Sequence, residues 1–236
     1  MDVLLRSVVG DRAVLVAATD RADGDFHPGR VAPDLLRSRQ LRVTATPWTM
    51  LDQVHGTAVY RVLGQDGNVT PAWPLADQGD ILVAADGTRP LAIWAADCAP
   101  VMLFGSKGAV VAVHAGWRGL AAGVLDTALD EFEARDEQVA VGALGPSIHR
   151  CCYEFGEQDL ARFASDVDLD HEAIAGRNDS GHLVLDVPAT VTEILRRRGV
   201  ELDVIGGCTG CESHWFSHRV GGELARHAVV AWTETR

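Results

Sequence analysis

Three short segments of this 236-residue chain place reactive side chains against apolar runs: Gln53-Val54-His55-Gly56, Ala96-Asp97-Cys98-Ala99-Pro100 and His114-Ala115-Gly116-Trp117-Arg118-Gly119. His55, Cys98 and His114 together make a set of two imidazoles and one thiolate. Three protein ligands with a fourth position left open is the pattern of a catalytic rather than a structural zinc, and these nitrogen and sulfur donors suit zinc or copper. The open position would polarise a water or a substrate oxygen. The same residues also support chemistry without a metal, with Cys98 as thiolate nucleophile, His114 as its base and Asp97 or another polar group as orienter. The spacing matches no compact finger motif and does not separate the two readings, and histidines and cysteines at strand ends also serve as plain packed side chains. Either chemistry requires the three residues to converge.

A fourth dense segment, Gly145-Pro146-Ser147-Ile148-His149-Arg150-Cys151-Cys152-Tyr153-Glu154, begins with a Gly-Pro pair that reads as a loop passing close to a ligand. Adjacent cysteines do not easily bridge to each other, so Cys151 and Cys152 are expected to point different ways. Cys208-Thr209-Gly210-Cys211 has the spacing of a redox or metal pair. No second pair of that spacing accompanies it, so ordinary buried thiols are the expectation. Arg118 and Arg219, the latter in Phe216-Ser217-His218-Arg219, are candidates for gripping an anionic oxygen through the guanidinium fork. Arg118 follows a Gly-Trp turn that opens a helix, so the first-turn N–H groups are expected to face the same anion.

These segments need rigid elements behind them. Val3 to Val8 and Ala13 to Ala18 read as strands around Gly10-Asp11, and Pro33 to Arg39 as a short helix. Thr57 to Leu63, Asp80 to Ala84, Leu91 to Ala95, Val101 to Phe104 and Ala109 to Val113 are short aliphatic runs split by Gly, Pro and Asp, the signature of buried strands joined by tight loops. From Leu120 to Phe132 apolar residues recur on one helical face, predicting a single helix of about four turns that starts in the Gly116–Gly119 loop. Val139 to Leu144 reads as a strand, and Val187 to Leu195 as a helix with Pro188 in its first turn and Gly199 just beyond its end. Leu202 to Ile205 and Ala228 to Trp232 read as further strands. Strands dominate and helices lie between only some of them, which predicts one mixed α/β domain over residues 1–236 with helices packed on the sheets.

Composition narrows the function classes. The chain is 47% hydrophobic with a net charge of −12, which excludes disorder, coiled coil and collagen. No apolar run approaches the roughly 20 residues of a membrane span. The acidic balance argues against nucleic acid as a partner, since the one basic cluster, Arg196-Arg197-Arg198, reads as a helix end. The N-terminus alternates charge and aliphatic residues too quickly for a signal peptide, so the cytoplasm is the expected location and the five cysteines are expected to be reduced.

Taken together, Gln-Val-His-Gly at 53–56, Ala-Asp-Cys-x-Pro at 96–100, His-Ala-Gly-Trp-Arg-Gly at 114–119, Gly-Pro-Ser-Ile with Cys-Cys-Tyr-Glu at 145–154, Cys-Thr at 208–209 and Phe-Ser-x-Arg at 216–219 resemble the YfiH family. This family was long labelled laccase-domain or multicopper polyphenol oxidoreductase proteins and is now described as purine nucleoside phosphorylases. The resemblance implies an α/β fold of sheets sandwiched by helices, similar to cytotoxic-necrotizing-factor-like cysteine hydrolases. It implies a metal, zinc with copper as the alternative, on His55, Cys98 and His114, with Asp97 and Arg118 completing the catalytic set. Arg118, Arg219, Cys152 and Tyr153 become candidates for the substrate and phosphate side.

The implied reaction is phosphorolysis of adenosine, inosine, guanosine and methylthioadenosine, with a side activity deaminating adenosine. Purine nucleosides and phosphate are then the partners of a monomer or homodimer. Older names for the family imply copper-dependent phenol oxidation, and some bacterial members are linked to peptidoglycan precursors. The usual Arg-Gly-Gly-Val-Ser and Leu-Asn-Leu elements are not visible near the N-terminus. His218 replaces a common Tyr, and Arg226 is the stand-in for a Thr-Gly-Arg arginine.

Overall fold

The computed structural model describes residues 2–62 and 77–235. The chain opens with β1 (Asp2–Val9) and β2 (Arg12–Ala18), followed by α1 (Pro33–Gln40). The middle holds β3 (Val59–Val62), β4 (Ile81–Ala84), β5 (Leu91–Ala95), β6 (Ala99–Gly105) and β7 (Val110–Ala115). Then come α2 (Trp117–Ala121), α3 (Val124–Glu133), β8 (Val139–Leu144), α4 (Glu157–Asp166) and α5 (His171–Ile174). The last part holds β9 (Ala175–Arg177), β10 (Leu183–Leu185), α6 (Val187–Arg197), β11 (Asp203–Val204), α7 (His218–Gly221) and β12 (His227–Thr235).

Two large sheets face each other. One has the order β1-β2-β12-β5 with every neighbour antiparallel, and the other runs β11-β8-β6-β7-β4-β3 with parallel pairs only at its two edges. Because strand side chains alternate faces, β7 sends Val111, Val113 and Ala115 to one side and Val110 and Ala112 to the other. The first set packs under Leu125, Leu129 and Phe132 of α3 and Val191 and Leu195 of α6. The second set meets Val14, Ile93 and Val229 of the opposite sheet. A third cluster, built on Phe26, Leu36, Trp48 and Val230, covers the outer face of the four-stranded sheet. The protein is thus a mixed α/β fold with helices packed on sheets.

Three expectations need correction. The apolar stripe from Leu120 to Phe132 is not one helix but two, because Gly123 adopts φ +84° and interrupts the ladder between α2 and α3. A left-handed residue ends a helix, and glycine enters that conformation without a side-chain penalty. The expected strand from Thr57 begins only at Val59, and Leu63 lies outside the described residues. Between β8 and α6 the chain forms α4, α5 and the β9–β10 hairpin, which the reading of the sequence passed over. The signal for α4 was there: Gly156 ahead of acidic Glu157 and Asp159, then Leu160, Phe163 and Ala164 on one buried face. Residues Arg196 to Arg198 do end a helix, and they pair with Glu193, Asp168, Asp126 and Glu133.

Candidate functional site

The ligand atoms of His55, Cys98 and His114 lie within 4.8 Å of one another, and each comes from a different part of the scaffold. His114 is the fifth residue of β7 and falls on the face shared by Val110 and Ala112. Cys98 stands where the chain leaves β5 in one sheet and enters β6 in the other, so this short connection bridges the sandwich. Pro100 pairs with His114 and Ala99 with Ala115, a register that holds the crossover against the end of β7. His55 sits on the loop before β3, with φ +62°, and Asp97 has φ +95°. Both are unusual conformations for residues with a side chain and persist only where the surroundings over-determine them.

Asp80 provides that constraint for the His55 loop. It is fully buried, and its Oδ1 accepts hydrogen bonds from the His55 backbone N–H at 2.9 Å and His114 Nδ1 at 2.8 Å. Its Oδ2 accepts from the Gly56 N–H at 2.7 Å and the Val54 N–H at 3.3 Å. The β4–β7 register pairs Ile81 with Val113, so Asp80 lies beside His114, whose N–H bonds the Asp80 carbonyl at 2.8 Å. Burial alone would raise the Asp80 carboxyl, but His114 and the amide donors outweigh it and hold the group below its usual range. The sequence marked Asp80 only as a strand start. Its isolation from the other motifs hid its part, although an acidic residue immediately before an apolar strand was a signal worth following. It is Asp80, rather than Asp97, that orients His114.

With Nδ1 engaged by Asp80, His114 turns Nε2 toward the thiolate side. Burial alone would push the Cys98 thiol up, yet His114 and His55 prevail and lower it to about 6. Burial likewise opposes the charge on His114, but Cys98 and Asp80 outweigh it and raise its pKa. The two shifts have a shared cause, the thiolate form of Cys98 and the imidazolium form of His114 each favouring the other. Cys98 Sγ lies 3.6 Å from His55 Nε2. Zinc bonds of about 2.3 Å to sulfur and about 2.05 Å to nitrogen, meeting at the tetrahedral angle, place the two atoms roughly 3.6 Å apart. Gly116 completes the fit, because a Cβ there would stand 2.6 Å from His55 Cδ2 and 3.1 Å from Cys98 Sγ. The donor set, spacing and close backbone approach fit a zinc or copper ion.

Asp97 does a different job from the one its sequence position implied. Its Oδ1 accepts from Thr209 Oγ1 at 2.6 Å and Ser217 Oγ at 2.8 Å, its Oδ2 from the Arg219 N–H at 2.6 Å, and its carbonyl from the Ile148 N–H at 2.9 Å. It ties the Cys-Thr, Phe-Ser-x-Arg and Gly-Pro-Ser-Ile motifs to the Cys98 crossover. Arg219 stacks its guanidinium over Tyr153, 4.7 Å from the ring centre. Burial first, and the Cys98 charge second, push the Tyr153 phenol up to about 12, so it stays protonated. Arg118 is exposed and stacks on Trp117 at 4.4 Å, and the helix it belongs to is only five residues long. Cys152 turns away from this group toward Cys211, and Cys151 converges on the same sulfur. The expectation that adjacent cysteines diverge is thus wrong, because the turn at 149–152 lets both reach one partner.

One group was undervalued. Arg226 is half-buried, and although burial lowers its pKa, the charges of Cys98, Asp25 and Asp97 act on it in the opposite sense. The Arg226 N–H bonds Asp25 Oδ1 at 2.9 Å, and Asp25 pairs with Arg30 at 3.7 Å. Asp25, just beyond the segment standing where the usual N-terminal motifs are missing, thereby fixes the Arg226 backbone.

Comparison with known proteins agrees with this architecture. Residues 25–234 match the family described as multi-copper polyphenol oxidoreductase laccase. A purine nucleoside phosphorylase of Xylella fastidiosa strain 9a5c is 31% identical over 98% of this chain and 92% of its own length. Purine nucleoside phosphorylase YfiH of Escherichia coli K12 is 32% identical over 77% of this chain and 72% of its own. The crystal structure of a Neisseria meningitidis DUF152 protein superposes with a TM-score of 0.74 at 27% identity, covering 97% of this chain and 98% of that one. The chain belongs to the multi-copper polyphenol oxidoreductase laccase family, the group that includes the YfiH proteins.

Proposed function

We propose that this chain, as one domain over residues 1–236, is a zinc-dependent purine nucleoside phosphorylase converting adenosine, inosine, guanosine or methylthioadenosine and phosphate to free base and pentose 1-phosphate. The observation that carries the reading is the convergence of His55, Cys98 and His114 around one point, with His114 fixed by Asp80. The names of its relatives support it. Phosphorolysis needs a phosphate oxygen held against C1′ while the C1′–N9 bond breaks and the purine leaves with its charge relieved by a proton. A zinc ion bound on the three residues supplies Lewis-acid polarisation at that point.

The remaining tasks fall to the chain. Arg226, half-buried and within range of the Cys98 charge, is suited to grip phosphate, with Arg118 and Arg219 as further candidates. Tyr153, kept protonated, is suited to donate a hydrogen bond to substrate. Asp97, occupied by three donors, positions the Cys98 crossover. Adenosine deamination as a side activity and a cytoplasmic location belong to the same reading. Among the described residues no helix is long and apolar enough to cross a membrane.

A panel of purine nucleosides, run with and without phosphate on zinc-loaded protein, tests the proposal. Inosine should give hypoxanthine and ribose 1-phosphate, and phosphate-independent turnover, or none, defeats it. The thiolate–imidazolium pair favours a second reading, a cysteine hydrolase. That reading requires activity to survive complete metal removal and to die on thiol alkylation. Copper-dependent phenol oxidation ranks lower because four-electron reduction of oxygen calls for several coppers, and the other metal-grade cluster among the described residues is all cysteine.

A further inference from the structure

Cys98 is one of five free cysteines, and the other four form a group of their own. The Sγ atoms of Cys151, Cys152, Cys208 and Cys211 all lie within 4.8 Å of one another. Cys151 is 3.4 Å from Cys208 and 3.2 Å from Cys211, and Cys152 is 3.4 Å from Cys211. None of these is a disulfide, whose sulfurs sit about 2.05 Å apart. Four sulfurs at about 2.3 Å from a tetrahedral zinc stand about 3.8 Å from one another; the three contacts here are somewhat shorter and every pair lies within 4.8 Å, a gathering that small side-chain adjustments bring to what a single ion requires.

The backbone is arranged around sulfur as well. Cys208-Thr209-Gly210-Cys211 folds back on itself, with the Cys211 and Glu212 N–H groups on the Cys208 carbonyl at 3.1 and 3.0 Å. The amide of His149, at 3.4 Å, and those of Gly210 and Cys211 point at Cys208 Sγ. Amide donors on a sulfur are the outer-shell support that orients a metal-bound thiolate. Gly210 is where the second pair comes in: a Cβ there would meet Cys152 Cβ at 2.7 Å and Cys152 Sγ at 2.8 Å. The companion that the Cys-x-x-Cys turn lacks in sequence is supplied in space by the vicinal Cys151-Cys152.

We propose that Cys151, Cys152, Cys208 and Cys211 form a second metal site, closed by four thiolates and suited to zinc. Binding exchanges thiol protons for the cation, the protons passing to solvent, with no electron transfer. The ion would fasten the 149–153 turn to the 208–212 turn. Tyr153 follows one ligand and Thr209, which bonds Asp97, follows another, so this site braces the wall of the His55–Cys98–His114 site without touching substrate.

The test is independent of the nucleoside reading. Chain purified and stripped of metal under reducing, oxygen-free conditions is titrated with Zn²⁺ and, separately, with Co²⁺ as a spectroscopic probe. The parent should take up about two equivalents of zinc, and Cys98→Ser about one while keeping the intense charge-transfer and visible bands of a four-thiolate tetrahedral cobalt site. Cys211→Ser should lose those bands and about one equivalent. Cys211→His, which restores a zinc ligand, should keep the equivalent with a spectrum shifted toward three thiolates. Zinc should raise the unfolding temperature of Cys98→Ser but not of Cys98→Ser/Cys211→Ser. Equal zinc uptake by the parent and Cys211→Ser, absence of thiolate bands in Cys98→Ser, or loss of two thiols to a reductant-reversible disulfide in the presence of zinc would each overturn the proposal.

Discussion

Replacing Asp80 with Asn keeps the shape of the side chain and removes one acceptor and the charge. In the native site each carboxylate oxygen accepts two bonds, Oδ1 from the His55 N–H and His114 Nδ1, Oδ2 from the Gly56 and Val54 N–H groups. An amide group has only one oxygen, so one pair of donors must face an NH₂. If the oxygen stays on His114, the Gly56 and Val54 N–H groups lose their partner and the His55 loop, held at φ +62°, is released. If the amide flips, the His55 N–H is opposed, and His114 can accept at Nδ1 only by carrying its proton on Nε2, the nitrogen that should meet the metal. Each unsatisfied buried donor costs about 1–3 kcal/mol, so Asp80→Asn should lower metal-free stability by about 2–4 kcal/mol in urea unfolding. Metal affinity, measured by competition with a chelator, should fall about 10–100-fold, the range for removing an outer-shell carboxylate. A variant with metal affinity within about twofold of the parent, and stability within about 0.5 kcal/mol, would refute the clamp.

Cys98→Ser should lose the metal at this site and turnover together while the far-ultraviolet circular dichroism stays native, because a serine hydroxyl is a weak zinc ligand; unchanged occupancy at this site would remove Cys98 from the ligand set. Arg226→Ala should keep zinc bound yet raise the phosphate requirement, with a transition-state loss of roughly 2–4 kcal/mol in kcat/KM, the scale of removing one preorganised charged donor. Arg118→Ala, which mainly frees the Trp117 face, should have the smaller effect on phosphate, and the reverse order would move the phosphate grip to Arg118. His227 is fully buried against Trp215, and burial pushes its pKa from 6.5 down to about 3. The unfolded chain then binds a proton that the folded chain refuses, so this contribution to stability is complete above about pH 6.5 and is lost as the pH falls toward 3. At pH 5 the loss is about 2 kcal/mol; His227→Leu should flatten the slope between pH 6.5 and 4, and an unchanged slope would refute the assignment.

Elements whose identity follows from local pattern were legible in the sequence. The buried strands from Ile81 to Val113 and the Pro188-led helix α6 stand close to where alternation and capping place them, because period and punctuation are set within a few residues. The boundary inside Leu120–Phe132 was not, since the apolar stripe runs on through Gly123 while the backbone changes hand there. The three proposed ligands could be named from their types and strand-end positions. Their support could not, because Asp80 acts through a β4–β7 register that joins residues far apart in the chain. The four-cysteine group was hidden for the same reason. Cys-Cys at 151–152 and Cys-x-x-Cys at 208–211 are each weak signals, and only the parallel bridge between Ser147 and Cys208 brings the two segments side by side.

That dependence on distant pairing bears on how rigid the site is before any metal arrives. His55 and Asp97 each hold a backbone conformation that costs on the order of 1–3 kcal/mol for a residue with a Cβ. Two buried carboxylates offset that strain: Asp80 gathers the amides of the His55 loop, and Asp97 gathers Thr209, Ser217 and the Arg219 amide around the Cys98 crossover. Charge-assisted bonds of this kind are the stronger class, and buried ones are costly to leave unmade. The spacing of the three side chains is therefore supported by carboxylates that do not themselves belong to the proposed ligand set. On the proposed reading, a cation bound there would find its donors already gathered within 4.8 Å, so its binding energy would not be spent on ordering the loop, and the two carboxylates would help to set the geometry of the site.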